Sequence, residues 1–149
     1  MSEFNAALGL LQLDHFEEVR RRRAAVDSRY REMLAGIEGI DVLPVPAEVE
    51  PNYTYFPILV RPEFPISRDE LYEQLKANRF YARRYFYPLL SNLPMYRYLP
   101  SAGEENLSVA TQAAQQILCL PFYHDLAEAD QVRLVKVLAS TAERQVIRP

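Results

Sequence analysis

The sequence predicts an α+β fold, in which a small antiparallel or mixed sheet is covered by helices and preceded by a long helix. Two observations lead to this class. Apolar residues recur at helical spacing from the N-terminus to about residue 37, and short apolar strand-like segments then alternate with helical ones. Because 49% of the 149 residues are apolar, the chain can bury one domain-sized core.

The first element is predicted as one long helix from Ser2 to the neighbourhood of Gly36 and Gly39, since glycine commonly ends helices. Asp14 and His15 mark the place where this helix could be broken. A surface that is apolar on several sides is too broad for one core-facing stripe and predicts burial against something larger than the chain itself. The first turns carry such a surface, made of Phe4, Ala6, Ala7, Leu8, Leu10, Leu11 and Leu13.

A short extended piece is predicted at residues 42–45, and a proline-rich link overlaps it at residues 44–51. Residues 53–60 alternate with apolar side chains on both faces, which predicts a buried strand. Pro57 within this segment indicates an edge or a bulge, because proline has no N–H to donate to a neighbouring strand.

The middle of the chain is predicted to hold a helix, a strand and a loop. Residues 67–70 read Ser-Arg-Asp-Glu, which matches a capping box and predicts a helix start. Asn78 is predicted as the left-handed C-cap of this helix. Residues 80–86 predict another strand, and the proline-rich residues 88–106 predict an irregular loop.

The C-terminal part is predicted as helix, strand and helix. The first helix covers about residues 107–117, the strand covers residues 118–120, and the final helix covers about residues 126–141. Asp125 is the predicted N-cap of the final helix, with Glu128 three residues later as a capping box requires.

The composition argues against several classes of protein. A net charge of −3 and an acidic isoelectric point give no general attraction to nucleic acid. Cys119 is the single cysteine, which excludes an internal disulfide framework and is typical of a reducing cytoplasm. No apolar run approaches the roughly 20 residues that span a bilayer, and the N-terminus has no signal-peptide pattern. We therefore expect a cytoplasmic protein that binds neither nucleic acid nor membrane.

The segment from Arg83 to Pro88 carries the side chains best suited to binding a ligand. Alternation along a strand would place Arg83, Tyr85 and Tyr87 on one face and Arg84 on the other. Guanidinium groups beside aromatic rings suit an anionic ligand that contains a ring. The alternative is an edge strand with solvated arginines, and the pattern alone leaves both interpretations open.

Other polar residues predict an ordinary surface. The four consecutive arginines at 20–23 circle a helix axis, and Glu17 and Glu18 lie one turn before them, so a solvated face is favoured. His15 and His124 have no partner at metal-ligand spacing, and no metal site is expected.

Three stretches, in the right order, resemble the pyridoxal-phosphate-dependent nucleotide-sugar aminotransferases of the DegT/StrS type. Residues 1–9 with 12–13 are similar to the stretch that opens the family's helix between its large and C-terminal domains. Residues 83–90 with 94–97 resemble the family's Arg-x-Tyr-x-Tyr-Pro-Leu segment, which lies near the substrate. Residues 113–123 look like the family's strand before the last helix.

The resemblance implies the C-terminal subdomain of a fold-type I aminotransferase. Residues 1–38 would form the linking helix and residues 39–149 the small α+β domain, with the cofactor-binding large domain outside this chain. The full-length parent would be a homodimer that moves an amino group from an amino acid, expected to be glutamate, to a keto-sugar carried on a nucleotide.

The resemblance also implies roles for particular residues. The substrate contacts would be Arg83, Arg84, Tyr85 and Tyr87. The junction between domains and subunits would be lined by Ser2, Glu3 and Asn5.

The resemblance places the catalytic lysine, the cofactor's acidic partner and the phosphate-binding loop in the large domain. Lys76 and Lys136 do not match the family's lysine context. We therefore expect no catalytic residue, no tightly bound cofactor and no activity in this chain by itself.

Two interpretations from other classes remain. The first is a non-catalytic module that binds a ligand or forms a dimer. The second is an RNA-binding α+β domain, which the acidic charge balance disfavours.

Overall fold

The computed structural model describes residues 2–143. Met1, the first residue of the first motif, lies outside the described residues. Two helices open the chain, α1 (Glu3–Asp14) and α2 (Phe16–Leu34), so the predicted long helix is broken at His15. Ser2 caps α1, since its hydroxyl accepts a hydrogen bond from the Asn5 N–H at 3.3 Å.

A three-stranded antiparallel sheet forms the centre of the domain and confirms the predicted α+β class. Its strands are β1 (Ile40–Val42), β2 (Phe56–Val60) and β3 (Ile117–Leu120), in the order β1-β2-β3. In the register, Ile40 lies opposite Val60 and Ile58 lies opposite Leu118.

Three further helices complete the architecture. The predicted capping box is present at the start of the first of them, because the Ser67 hydroxyl accepts from the Glu70 N–H at 3.3 Å and the Glu70 carboxylate accepts from the Ser67 N–H at 2.8 Å. The helices are α3 (Arg68–Ala77), α4 (Ser108–Gln116) and α5 (Glu128–Glu143), and short 3-10 turns occupy Leu90–Asn92, Pro100–Ala102 and Glu104–Asn106. None of the helices in residues 2–143 combines the length and the apolar character needed to cross a membrane.

The hydrophobic core lies between one face of the sheet and α2, α3 and α5. On β2 the alternate residues Phe56, Ile58 and Val60 are buried, whereas the intervening Pro57 and Leu59 are half-buried. Apolar residues of the three helices complete this core, chiefly Val26, Tyr30, Leu34, Leu71, Leu75, Leu134 and Leu138. The sheet is therefore covered mainly on one side, as expected.

A buried polar link joins α2 to α5. Gln131 is completely buried. Its side-chain amide donates to the Val26 carbonyl at 3.0 Å and accepts from Arg29 Nε at 2.8 Å. Because both ends of the amide are satisfied, this polar side chain fixes the two helices against each other without an unpaired buried group.

Four strand predictions need correction. Pro57 does not mark an edge, because its strand β2 is the central one of the sheet. The strand predicted at residues 53–60 begins only at Phe56, because Tyr53 has a left-handed backbone with φ of +51° that cannot continue a ladder. The extended piece predicted at 42–45 is the strand β1, which lies at residues 40–42. Residues 80–86 form no strand. Only Arg83 pairs there, with Cys119, through backbone hydrogen bonds of 2.9 and 2.8 Å.

Two helix ends also differ from the prediction. Asn78 ends α3 with φ of −87°, and the next residue, Arg79, takes the left-handed conformation with φ of +65°. Asp125 does not cap α5, because that helix begins at Glu128. The Asp125 carboxylate instead lies 3.0 Å from a guanidinium nitrogen of Arg22, so a tertiary ion pair replaces the local cap.

Gly39 should be the least replaceable glycine of the chain. Its φ is +77°, and a Cβ there would overlap the backbone of Phe64. We expect Gly39→Ala to lower the free energy of unfolding by at least about 2 kcal/mol. Gly36 has a similar φ of +84° but open space around it, so Gly36→Ala should cost only about 1 kcal/mol. Urea unfolding of both variants tests this, and equal losses would contradict the steric argument.

Stability should decline at alkaline pH through Cys119. Burial raises the pKa of the Cys119 thiol to about 11, although the positive charge of Arg83 opposes the shift. The unfolded thiol loses its proton at roughly pH 8.5. The stabilisation is therefore complete below pH ~8.5 and is lost as the pH rises toward the folded value.

The comparison variant is Cys119→Ala, measured by urea unfolding between about pH 7.5 and 10. We expect the variant to lose less stability across this interval than the unmodified chain. Tyr30, whose pKa burial also raises, contributes a decline only above its ordinary value of about 10. Identical pH dependence in the two proteins would contradict the role assigned to the thiol.

Candidate functional site

One large cavity among the described residues is lined by arginines. It has a volume of about 710 Å³ and lies between α2, the N-terminal part of α5, the end of β3 and the segment after α3. Four arginines line it: Arg23 from α2, Arg79 and Arg83 from the segment after α3, and Arg133 from α5. We call this space the arginine cavity.

The arginine cavity is electrostatically unbalanced. Asp130 is the one acidic residue among those that line it, and it pairs with Arg133 at 2.9 Å. Within residues 2–143, the guanidinium groups of Arg79 and Arg83 make no hydrogen bond and no ion pair. Arg23 donates to the Tyr53 carbonyl at 3.3 Å, but its Nε is buried without an acceptor. Positive charge in this cavity therefore exceeds negative charge.

Aromatic rings form the rest of the cavity wall. Tyr55, Tyr81 and Tyr123 are 50%, 73% and 47% exposed, which leaves much of each ring open to solvent. The Phe80 ring is covered by the Arg133 guanidinium, which lies 5.4 Å from the ring centroid. The cavity thus combines cationic groups with free ring surface.

The Arg84 side chain does not line the arginine cavity, although Arg84 follows Arg83 in the sequence. Its guanidinium lies 3.2 Å from the Asp69 carboxylate. It also stacks on two rings, at 4.7 Å from the Tyr72 centroid and 5.0 Å from the Tyr87 centroid. These contacts attach the segment after Arg83 to the first turn of α3, so Arg84 has a structural role.

Arg68 also contacts the Tyr87 ring of this stack. It is only 3% exposed, and burial lowers its pKa from the ordinary value. Its guanidinium lies 4.8 Å from the Tyr87 centroid and donates to the Ile117 carbonyl at 3.1 Å. The Tyr87 ring therefore lies against both Arg68 and Arg84. The Tyr87–Pro88 peptide bond that follows is cis.

Tyr85 belongs to a third environment. Its ring packs edge-on against Tyr55 at 5.5 Å and against Phe86 at 4.2 Å. It lines a smaller cavity of about 380 Å³. Tyr55 and Cys119 line both this cavity and the arginine cavity. The two cavities are therefore neighbours across Tyr55.

The structure does not bring the four predicted substrate residues together on one face. The single face predicted for Arg83, Tyr85 and Tyr87 is wrong, because the segment is not a strand and Phe86 has φ of +46°. Arg83 lines the arginine cavity, Tyr85 lines the smaller one, and Tyr87 joins Arg84 in the stack on α3. Their role as substrate contacts stays a prediction.

Sequence reasoning missed three residues of the arginine cavity. Arg23 was assigned to a solvated run. That assignment is right for Arg21, which is exposed, and for Arg20 and Arg22, which pair with glutamates, but Arg23 lines the cavity. Arg79 and Arg133 carried no signal, because they lie far apart in sequence from each other and from Arg23. The packing of α2, α5 and the segment after α3 brings them together.

The predicted junction residues lie at the start of α1. Ser2, Glu3 and Asn5 are all exposed, and α1 has no buried residue. The predicted broad apolar surface is present, with Phe4, Leu8, Leu10, Leu11, Leu13 and Phe16 each at least 48% exposed. The assignment of these residues to a junction stays a prediction.

The residues of this chain do not fit the Schiff-base site of pyridoxal phosphate. Lys76 is exposed on α3 and lies 3.9 Å from the Glu73 carboxylate. Lys136 is exposed on α5, and neither lysine lines the arginine cavity. The part of the chain that the structure describes also contains no cluster of potential metal ligands.

A comparison with known sequences matches residues 1–139 to the model of the DegT/DnrJ/EryC1/StrS aminotransferase family. The dTDP-4-amino-4,6-dideoxy-D-glucose transaminase of Escherichia coli is 49% identical over 138 residues, which cover 93% of this chain and 37% of that protein. The transaminase of the same name from Shigella dysenteriae is 42% identical and covers 85% of this chain and 34% of its own length.

A solved structure agrees with these sequence matches. The complex of Streptomyces venezuelae DesV with a ketimine intermediate superposes with a TM-score of 0.81 at 28% identity. The match covers 93% of this chain and 36% of DesV. The chain thus spans little more than a third of the length of these relatives and aligns with their C-terminal portion. It belongs to the DegT/DnrJ/EryC1/StrS family of nucleotide-sugar aminotransferases.

Proposed function

We propose that this chain supplies the C-terminal subdomain of an aminotransferase that moves an amino group from an amino acid, glutamate in the first instance, to a nucleotide-linked keto-sugar. Residues 1–38 would link this subdomain to a large domain. The observation that carries the proposal is the 49% identity with the Escherichia coli transaminase across 93% of the chain.

Pyridoxal phosphate supplies the electron sink for amino transfer in such enzymes. The exposed positions of Lys76 and Lys136 do not suit its attachment, so the large domain would hold it. We therefore propose that the chain alone is inactive and that it acts in a cytoplasmic homodimer. The exposed apolar surface of α1 supports a docking role toward a large domain and a second subunit, because apolar patches of this kind mark interfaces.

Arg83 is the best candidate for a direct substrate contact. Its guanidinium is exposed and makes no ion pair within residues 2–143, so it is available to an anionic ligand. In contrast, Arg84 and Tyr87 are engaged with Asp69 and with each other. We propose that they hold the segment in place, and that Tyr85 adds a ring next to the substrate.

The alternative of a non-catalytic dimerisation module rests on one observation, the uncovered apolar surface of α1. The two proposals differ in their consequences. A dimerisation module needs no relationship with a catalytic large domain, whereas the aminotransferase proposal requires that the chain function when joined to one.

A chimera tests the proposed function directly. The C-terminal part of the Escherichia coli transaminase that aligns with this chain would be replaced by this chain, and amino transfer to its dTDP-linked keto-sugar would be measured. Because the two sequences are 49% identical over this part, we expect activity within about tenfold of the parent. The parent without its C-terminal part serves as the inactive control. A folded chimera that binds pyridoxal phosphate but transfers no amino group would contradict the proposal.

Substitutions of the neighbouring Arg83 and Arg84 should affect different properties, substrate binding and stability respectively. In the 149-residue chain, Arg84→Gln should lower the free energy of unfolding by about 1 kcal/mol, because it loses the Asp69 pair and two ring contacts. Arg83→Gln should change it by less than about 0.5 kcal/mol. In the chimera, however, Arg83→Gln should raise KM for the nucleotide-sugar about tenfold or more.

Urea unfolding and steady-state kinetics measure the two effects separately. An unchanged KM in Arg83→Gln would remove Arg83 from the substrate site. An unchanged stability in Arg84→Gln would remove the structural role of the stack.

A further inference from the structure

We propose that Arg68 is a positioning residue, whose guanidinium ends the strand pairing of the segment after α3 and thereby sets the place of Arg83 at the wall of the arginine cavity. In this role Arg68 acts through Arg83 and makes no contact with the substrate itself. The part of this inference that concerns substrate binding rests on the proposed function.

The place of Arg68 is not explained by the helix that it begins. Arg68 is the first residue of α3, where the partial positive charge of the helix N-terminus disfavours a cation. The start of the helix is already stabilised by the capping box of Ser67 and Glu70. Arg68 is nevertheless only 3% exposed, and a buried charge is costly unless its contacts compensate it. The reason for a buried cation at this position therefore lies outside the helix.

The contacts of Arg68 join the edge of the sheet to the Tyr87 ring. One guanidinium nitrogen donates to the Ile117 carbonyl at 3.1 Å, and the guanidinium carbon lies 4.8 Å from the Tyr87 ring centroid. The Nε of Arg68 lies 3.0 Å from the Asp69 carboxylate but makes no hydrogen bond with it. The guanidinium is therefore aligned with the carbonyl and not with the nearby carboxylate.

The Ile117 carbonyl belongs to the edge of the sheet at which the segment pairs. β3 is an outer strand of the sheet, and Cys119 exchanges two backbone hydrogen bonds with Arg83 at its outer edge. Because alternate residues of a strand direct their backbone groups to the same edge, the Ile117 carbonyl lies on this edge too. An antiparallel ladder continued by two residues would place Tyr85 opposite Ile117. The guanidinium of Arg68 binds that carbonyl instead.

The segment leaves the sheet where Arg68 takes the place of a strand partner. Phe86 has φ of +46°, and the Tyr87 ring lies against the guanidinium groups of Arg68 and Arg84. Arg83 is thus held by the sheet on one side and by the contacts with α3 on the other, and its side chain lines the arginine cavity. Removal of Arg68 should free this backbone and weaken binding to the Arg83 side chain, because more entropy is then lost on binding.

Amide hydrogen exchange in the 149-residue chain tests the hold of Arg68 on the segment. The variant is Arg68→Met, which removes the charge and the hydrogen bond but keeps an unbranched, adaptable side chain. We expect the exchange rate of the Arg83 amide, divided by that of the Ile58 amide in the central strand, to rise about tenfold or more. The ratio separates local opening of the segment from a loss of global stability. An unchanged or lower ratio would overturn the proposal.

Arg61→Met is the matched control. Arg61 also uses its guanidinium for two contacts, with the Asp41 carboxylate at 2.7 Å and with the Gln116 side-chain oxygen at 2.9 Å. The exchange ratio should stay within about twofold in this variant, and a rise equal to that in Arg68→Met would overturn the proposal. If Arg68→Met does not fold, Arg68→Lys carries both this test and the kinetic one. It keeps the charge but lacks the planar guanidinium, so the ratio should still rise about threefold or more.

The chimera tests whether Arg68 acts through Arg83. We expect Arg68→Met to raise KM for the nucleotide-sugar about fivefold or more and to change kcat less than about threefold, because a binding group is displaced. In a chimera that already carries Arg83→Gln, the same substitution should raise KM less than about twofold further, since the group that it positions is gone. Effects of the two substitutions that multiply would indicate an independent structural role for Arg68 and would overturn the proposal.

The two measurements separate this proposal from the proposed function. If the chimera transfers amino groups and Arg68→Met leaves KM unchanged, the positioning role is wrong while the proposed function stands. If the chimera is inactive but the exchange ratio rises as expected, the hold of Arg68 on the segment stands and the proposed function is wrong.

Discussion

The hydrogen bond between Tyr30 and the Pro121 carbonyl, 3.1 Å long, is the contact on which the geometry of the site depends. Tyr30 is completely buried on α2, and its ring lies 4.9 Å from that of Phe56 in the central strand. Pro121 is the residue at which the chain leaves β3. The bond therefore fixes α2 against the end of the sheet, where the wall of the arginine cavity begins. Because Arg23 is two turns earlier on the same helix, its position relative to β3 follows from this contact.

Arginines close together in this sequence lie in different environments, and the groups that they contact distinguish them. Arg68 and Arg84 lie against the Tyr87 ring and beside Asp69, where aromatic and acidic contacts satisfy their charge. Arg79 and Arg83 face an open cavity whose walls supply almost no negative charge. The first pair attaches the segment to α3, and the guanidinium groups of the second pair make no hydrogen bond or ion pair within residues 2–143.

The apolar surface of α1 and the open cavity are consistent with a subdomain that functions as part of a larger assembly. α1 buries none of its side chains within the described residues, and the match to this chain covers only 37% of the Escherichia coli relative. The core between the sheet and the other helices is nevertheless complete, with buried polar groups such as Gln131 satisfied. The core therefore does not depend on burial of the apolar side chains of α1.

The sequence by itself determined the features that depend on residues within about one helical turn of each other. These are the capping box at Ser67, the helix break at His15, the α+β class and the motifs that indicate the family. It also predicted substrate contacts in the segment that begins at Arg83, and that assignment stays a prediction. Only the tertiary structure decided that this segment is irregular, that Arg84 turns toward α3, and that Arg79 and Arg133 meet in one cavity. The physical reason is distance along the chain. Alternation and capping act between near neighbours, whereas a left-handed φ or a shared cavity is imposed by elements that only the folded core brings together.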